Sequence, residues 1–210
     1  MTVLTKLASQ LNRKDERPNI ELARELAGAN SVEGIQEIVE NLVNPNRKMK
    51  ADCIKVAYEI GRVKPELICD YAEIFIALLK SQNNRLVWGA MQVLSTIAEI
   101  SAITLMKHLN AIKHAIKTGS VITADKGILT LAKLAAVNEQ YQERIVPFLI
   151  EHLKSCRTKE IPQHAESILL AITSKTKDEF LKVLEEREQY LTKPQARRVQ
   201  KIYRKLAELP

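Results

Sequence analysis

The sequence predicts an all-α chain built as a solenoid of about six stacked helix pairs. Three observations lead there. Apolar or small residues fall at Leu86, Ala90, Val93, Leu94 and Ile97, offsets 0, 4, 7, 8 and 11, which make one stripe on an α-helix. The same offsets return along the chain. Met49, Cys53, Val56, Ala57 and Ile60 lie 37 residues earlier; Thr123, Gly127, Thr130, Leu131 and Leu134 lie 37 later. A further 38 residues on come Ile161, Ala165, Ile168, Leu169 and Ile172, and 34 beyond those Gln195, Val199, Ile202, Tyr203 and Leu206. A shorter first copy is Leu22, Ala23 and Leu26. Self-similarity at this period is the mark of stacked helical units. Third, hydrophobic residues make up 46% of the chain while aromatics are only 4% and glycines six, which suits an aliphatic helical core and argues against a β-rich fold.

Offset 4 reads Cys53, Ala90, Gly127, Ala165 and Val199. Small residues there let a helix approach its neighbour, and the branched residues at the later offsets fill the space between layers. Gly127 inside a helix costs about 1 kcal/mol against Ala, which close packing can offset.

In chain order, residues 2–11 read as a short helix and the polar stretch 12–17 as a break. Pro18 opens a helix running to about Ala27, with Gly28–Asn30 as its stop. Ser31, with Gly34 behind it, opens the next, whose apolar face is Val32, Ile35, Ile38, Val39 and Leu42. Asn44-Pro45-Asn46 is a turn into a helix over 47–62. Pro65 starts a helix through about Leu79, and residues 82–84 turn into the template helix. Helices follow over 102–117, 121–137 and 139–155, the last containing Pro147, which predicts a kink. Pro162 opens a helix ending near Thr173, and the final pair covers 177–190 and 194–209. The unbroken repeat predicts one domain over 1–210.

A turn, an apolar residue, a small residue four on and an apolar pair after it recur in Asn46–Ile60, Asn83–Ile97 and Ser120–Leu134. In these features the chain resembles the HEAT-repeat (armadillo-type) family. The resemblance implies a right-handed α-α superhelix whose second helices line a concave face. Lys50 matches the basic residue usual after the opening apolar one, whereas Val87, Ala124, Pro162 and Ala196 depart from it. Offsets 2, 6 and 9 point away from the core stripe. They bring Lys55, Tyr58, Trp88, Gln92 and Asp125 toward that face, with Asp52 and Lys126 at its edge. This patch is the expected recognition surface, with Trp88 either its aromatic anchor or packed between repeats as core.

The formal net charge of +7 arises wholly from residues 106–210, which hold 19 Lys/Arg and 12 Asp/Glu, whereas residues 1–105 hold 13 of each. A one-sided basic balance points to a polyanionic partner or to a solvated helical surface. Arg197, Arg198, Lys201, Arg204 and Lys205 on the last helix are either a polar cap on a terminal repeat or a nucleic-acid-binding arm. The chain is also similar in size, basic character and groove Trp/Asp content to HEAT-like alkylpurine DNA glycosylases. In that family the groove Trp is followed four residues on by a carboxylate; here Gln92 follows Trp88, and Asp125 comes from the neighbouring helix.

Enzyme signatures are missing: the chain has no GxGxxG, Walker loop, GxSxG or HExxH. His164-Ala165-Glu166 matches half of a zinc-deaminase signature without its PCxxC partner. His108 and His114 are six residues apart, on different sides of a helix, and make a poor metal pair. No metal or cofactor is expected. No run approaches 18 apolar residues, and the N-terminus lacks a signal-peptide pattern, so neither a membrane span nor a secretory leader is expected. Three dispersed cysteines, Cys53, Cys69 and Cys156, suit reduced thiols in the cytoplasm. The expected function is a cytoplasmic, non-enzymatic scaffold that binds a protein partner through the concave face, with no small-molecule substrate. DNA or RNA binding through the basic second half is the alternative.

Overall fold

A computed structural model describes residues 2–208; the predicted end of the last helix at Leu209 lies outside the described residues. Among the described residues there are twelve α-helices, several short 3-10 turns and no strand. The chain forms two compact units, one ending at Gly127 and the other starting at Ile128.

The first unit holds α1 (Arg17–Ala29), α2 (Val32–Glu40), α3 (Arg47–Val63), α4 (Ala72–Leu78), α5 (Asn84–Ile97), α6 (Ala102–Lys107), α7 (Leu109–Thr118) and the first half of α8 (Val121–Ala135). Capping chemistry sets the helix starts. The Ser31 hydroxyl accepts the Gly34 N–H at 3.3 Å, the Asn46 side chain accepts those of Lys48 and Met49 at 2.9 and 3.2 Å, and Asn83 accepts that of Arg85 at 3.0 Å. Asn30, at φ 50°, takes the left-handed conformation that ends α1. The repeating stripe is the core. Leu86, Ala90, Val93, Leu94 and Ile97 are buried on α5, and Cys53, Val56, Ala57 and Ile60 on α3, which packs between α1 and α5. Gly127 is where the small-residue argument is most literal: a Cβ there would come within 3.0 Å of the Ile116 side chain.

The second unit continues α8 and adds α9 (Glu139–Ser155), α10 (Ile161–Ile168), α11 (Lys177–Glu188) and α12 (Lys193–Ala207). Ile145, Leu149, Leu153, Ile161, Ala165, Ile168, Phe180, Val183, Val199, Ile202 and Leu206 form its core. Pro147 sits inside α9, which runs through it.

Three predicted helices are broken. Residues 2–11 form only a 3-10 turn, Val3–Lys6, and then irregular turns. The amides of Ala8 and Ser9 are taken by the buried side chains of Asn19 and Asp52, at 2.9 and 2.8 Å, rather than by helix carbonyls. The helix expected over 65–79 is two 3-10 turns followed by α4. Ile68 turns into the core at φ −126°, ψ −4°, and the Cys69 carbonyl accepts the Ser101 hydroxyl at 3.1 Å. The helix expected over 102–117 is divided at His108 (φ −108°, ψ 19°), whose Nε2 lies 2.8 Å from the Glu73 carboxylate.

Candidate functional site

Positions 55, 58, 59 and 62 share one face of α3, and positions 85, 88 and 92 one face of α5. Because α3 and α5 pack side by side, these two faces meet. The rings of Tyr58 and Trp88 lie with centroids 6.0 Å apart and planes inclined at 47°. Three cations surround them. Lys55 Nζ is 4.7 Å and the Arg62 guanidinium carbon 5.0 Å from the Tyr58 centroid, and the Arg85 guanidinium carbon is 5.2 Å from that of Trp88. These are distances at which a ring face attracts a cation.

Carboxylates hold the cations in place. Lys55 Nζ lies 2.7 Å from Glu59 Oε1 and 3.2 Å from Glu16 Oε2. Arg62 donates to Glu59 Oε1 at 2.8 Å and to Gln92 Oε1 at 2.8 Å, tying α3 to α5, and Arg85 pairs with Glu16. Burial alone would lower the pKa of Lys55, but its hydrogen bonds to Glu59 and Tyr58 outweigh that and lift it above 10.5. Burial alone would raise Glu16; the Arg85 and Lys55 charges overcome it and hold the carboxyl below 4.5. Beside this network is a depression of about 420 Å³ lined by Asp15, Glu16, Lys48, Ala51, Asp52 and Arg85 among others.

The structure thus brings together four of the expected groove residues. Lys55, Tyr58 and Gln92 are buried, Lys55 against Tyr58 and Gln92 linked to the same face through Arg62, while Trp88 is half-buried, between the two alternatives the sequence left open. Asp125 and Lys126 lie on α8, half-buried and engaged in interactions of their own. Asp52 is committed to the N-terminal segment. Glu16 and Arg85, which clamp the patch, were missed. Arg85 could have been found by its helical spacing to Trp88, whereas nothing in the sequence connects Glu16 to Lys55.

On α12, Arg197, Lys201 and Arg204 are exposed on the side opposite the buried Val199, Ile202 and Leu206, and Arg198 is exposed at the flank of that stripe. Arg198 is engaged by Glu166 through a paired contact, Nε to Oε1 at 2.9 Å and a terminal nitrogen to Oε2 at 2.6 Å. The half-signature at His164 comes apart, since His164 and Ala165 are fully buried while Glu166 faces outward to that arginine.

One cluster of ligand-type side chains escaped the sequence reading. His152 near the end of α9, Cys156 just after it and His164 on α10 bring one potential ligand atom each within 4.8 Å of one another. His152 Nε2 and His164 Nδ1 are 3.0 Å apart. The signal was an H-x3-C-x7-H spacing that crosses a loop, where a search confined to single helices does not look.

No family model matches the sequence, and no curated protein matches it. Solved structures do. A crystal structure of an engineered protein aligns over 99% of this chain and 96% of its own, with TM-score 0.66 and 18% identity. A designed armadillo repeat protein in complex with the peptide (KR)4 aligns over 97% of this chain and 99% of its own, with TM-score 0.67 and 14% identity. The fold is that of armadillo and HEAT repeats. The karyopherin Kap121p, bound to the SUMO protease Ulp1p, matches 98% of this chain with TM-score 0.68 and 13% identity, through 23% of its own length. At these identities the likeness establishes the armadillo/HEAT fold and no activity. Among the described residues no helix is long and apolar enough to cross a membrane.

Proposed function

We propose that this armadillo/HEAT-type chain is a single repeat domain acting as a non-enzymatic scaffold, binding a segment of a partner protein over the α3–α5 face. The observation that supports this reading most is the half-buried Trp88, backed by Tyr58 and flanked by Arg85, with Lys55 and Arg62 set against the Tyr58 ring behind it. An aromatic held by its neighbours loses little freedom on contact, and such rings with arginines are what binding hot spots are made of. Two carboxylates, Glu16 and Glu59, offset most of the charge of Lys55, Arg62 and Arg85, which favours a mixed or apolar protein segment over a uniformly charged polymer. Likeness to a peptide-bound designed protein and to a protein-bound karyopherin points the same way.

The test is an array of overlapping peptides probed with the full chain and with Trp88→Ala, beside fluorescence anisotropy with single- and double-stranded DNA at about 50 and 200 mM salt. Peptide binding lost in Trp88→Ala supports the reading. DNA binding that falls steeply with salt and responds to Arg197→Glu, without peptide binding, replaces it with the nucleic-acid alternative.

A further inference from the structure

We propose that His152, Cys156 and His164 form a binding site for a thiophilic divalent cation, with zinc the best fit to the donors. His152 and Cys156 are four residues apart, one helical turn, and so rise on the same side of α9 at its C-terminus. His164 comes from the facing helix α10 with its side chain fully buried. The donor set is two imidazole nitrogens and one sulfur, the borderline-soft mixture that zinc takes in tetrahedral sites.

The distances suit a shared metal. Zinc–nitrogen bonds of about 2.0–2.1 Å and zinc–sulfur bonds of about 2.3 Å put ligand atoms roughly 3.3–3.6 Å apart at tetrahedral angles. The two nitrogens already stand 3.0 Å apart, and all three atoms lie within 4.8 Å. A cation therefore needs only a small swing of the Cys156 side chain and a slight opening between the rings. In the imidazole contact one of the two facing nitrogens bears the proton that is shared. For both lone pairs to reach a metal, that proton moves to the far nitrogen of its own ring, leaving both rings neutral. The cation takes the sulfur as thiolate, displacing the thiol proton to water.

The surroundings fix the ligands. Cys156 donates its N–H to the His152 carbonyl at 2.8 Å. Arg187 reaches from α11 to donate to the Cys156 carbonyl at 2.7 Å and also to that of Lys154, clamping the end of α9. The His152 ring stacks on Phe148 with centroids 6.5 Å apart. Glu160, buried nearby, is held by Arg157 and is left out of the donor set. Three protein ligands leave the fourth position to water or an incoming group.

The experiment titrates the full chain, under a non-chelating reductant, with cobalt(II) as a spectroscopic stand-in for zinc. The expected result is a stoichiometric thiolate-to-cobalt charge-transfer band in the near-ultraviolet, with strong tetrahedral ligand-field bands in the visible, all abolished by excess zinc. Cys156→Ser should lose the charge-transfer band. His152→Ala should weaken cobalt binding by more than about 100-fold, since even outer partners of metal ligands are worth 10–100-fold. His152 is half-exposed, so His152→Ala keeps the test valid if Cys156→Ser or His164→Ala fails to fold. Absence of any band in the native chain overturns the proposal. So does a band that survives in Cys156→Ser, because it would come from Cys53 or Cys69.

Discussion

Tyr58 and Trp88 stand 6.0 Å apart across the α3–α5 contact, yet they differ in what they contribute. Tyr58 is 4% exposed and Trp88 half-buried. Replacing Tyr58 with Ala should cost about 3 kcal/mol or more in urea unfolding, as for other buried aromatics. Trp88→Ala should cost less than half as much while removing partner binding. Trp88 is the sole tryptophan, so native emission reports it alone. That emission should be moderately blue-shifted and partly open to acrylamide. Complete shielding, or quenching like free tryptophan, would contradict its half-buried placement.

A second relationship tests the packing of the same helices. A Cβ on Gly61 would lie well inside 3.0 Å of the Thr96 hydroxyl, which is fixed by donating to the Val93 carbonyl at 2.6 Å. Gly61→Ala gains up to about 1 kcal/mol of helix propensity but overpacks by about 1–3 kcal/mol. Net destabilisation is expected. In a Thr96→Ala background the nearest obstacle is a Cβ at 3.3 Å, so most of the penalty should vanish. A double-mutant cycle showing coupling below about 0.5 kcal/mol would mean that the two residues do not meet as described.

The repeat stripe made the fold readable because most of its positions answer to burial, and Leu86, Ala90, Val93, Leu94 and Ile97 are all buried as their spacing requires, whereas Met49, Leu169, Gln195 and Tyr203 on the other copies are only half-buried. Where the reading failed, a remote polar group had intervened. Asn19 and Asp52 captured the amides of residues 8 and 9, Ser101 captured the Cys69 carbonyl, and Glu73 met the ring at the His108 break. The site was legible in the same proportion. Helical spacing found Lys55, Tyr58, Trp88 and Gln92, whereas Glu16 and the His152–Cys156–His164 cluster depend on segments meeting across loops.

Acid should loosen the brace around Trp88. The Glu16 carboxyl is held below 4.5 in the fold. A depressed pKa contributes stability that is complete above 4.5 and is lost as pH falls through the folded value. Glu16 is substantially exposed, so solvent screens its pairs and the effect is modest. Glu16→Gln should lower the urea midpoint at neutral pH and flatten its fall below pH 4.5. An identical acid limb in both proteins would remove Glu16 from the network's energetics.

The three thiols should separate kinetically. Burial pushes Cys53 up to about 12 and Cys156 up to about 11, and both side chains are shielded. Burial and the Asp70 charge raise the Cys69 thiol as well, but Cys69 is half-exposed, so access sets it apart. At about pH 8 a disulfide reagent needs thiolate and access together. One thiol should react quickly in the native chain and all three in denaturant, with Cys69→Ser abolishing the fast phase. A fast phase that persists in Cys69→Ser would show that a buried thiol is reachable.

Asp52 should prove to be the anchor of the N-terminal segment. Its Oδ2 accepts the Ser9 N–H at 2.8 Å and its Oδ1 the Asn19 side-chain amide at 2.7 Å, while Asn19 in turn accepts the Ala8 N–H at 2.9 Å. Asn19 is fully buried and Asp52 9% exposed, so neither group has ready access to water as a substitute partner. Bonds to a charged acceptor contribute about 1.5–3 kcal/mol each, and leaving a buried donor unpaired carries a desolvation penalty as well. Asp52→Ala should therefore lower stability by roughly 3 kcal/mol. It should also open the amides of Ala8 and Ser9 to hydrogen exchange ahead of those in α3 and α5. Asp52→Asn keeps one acceptor oxygen and should recover part of the loss. If exchange instead rises uniformly along the first unit, Asp52 supports the core of α3 and the N-terminal segment is held by Leu7 and Ala8, whose side chains are buried.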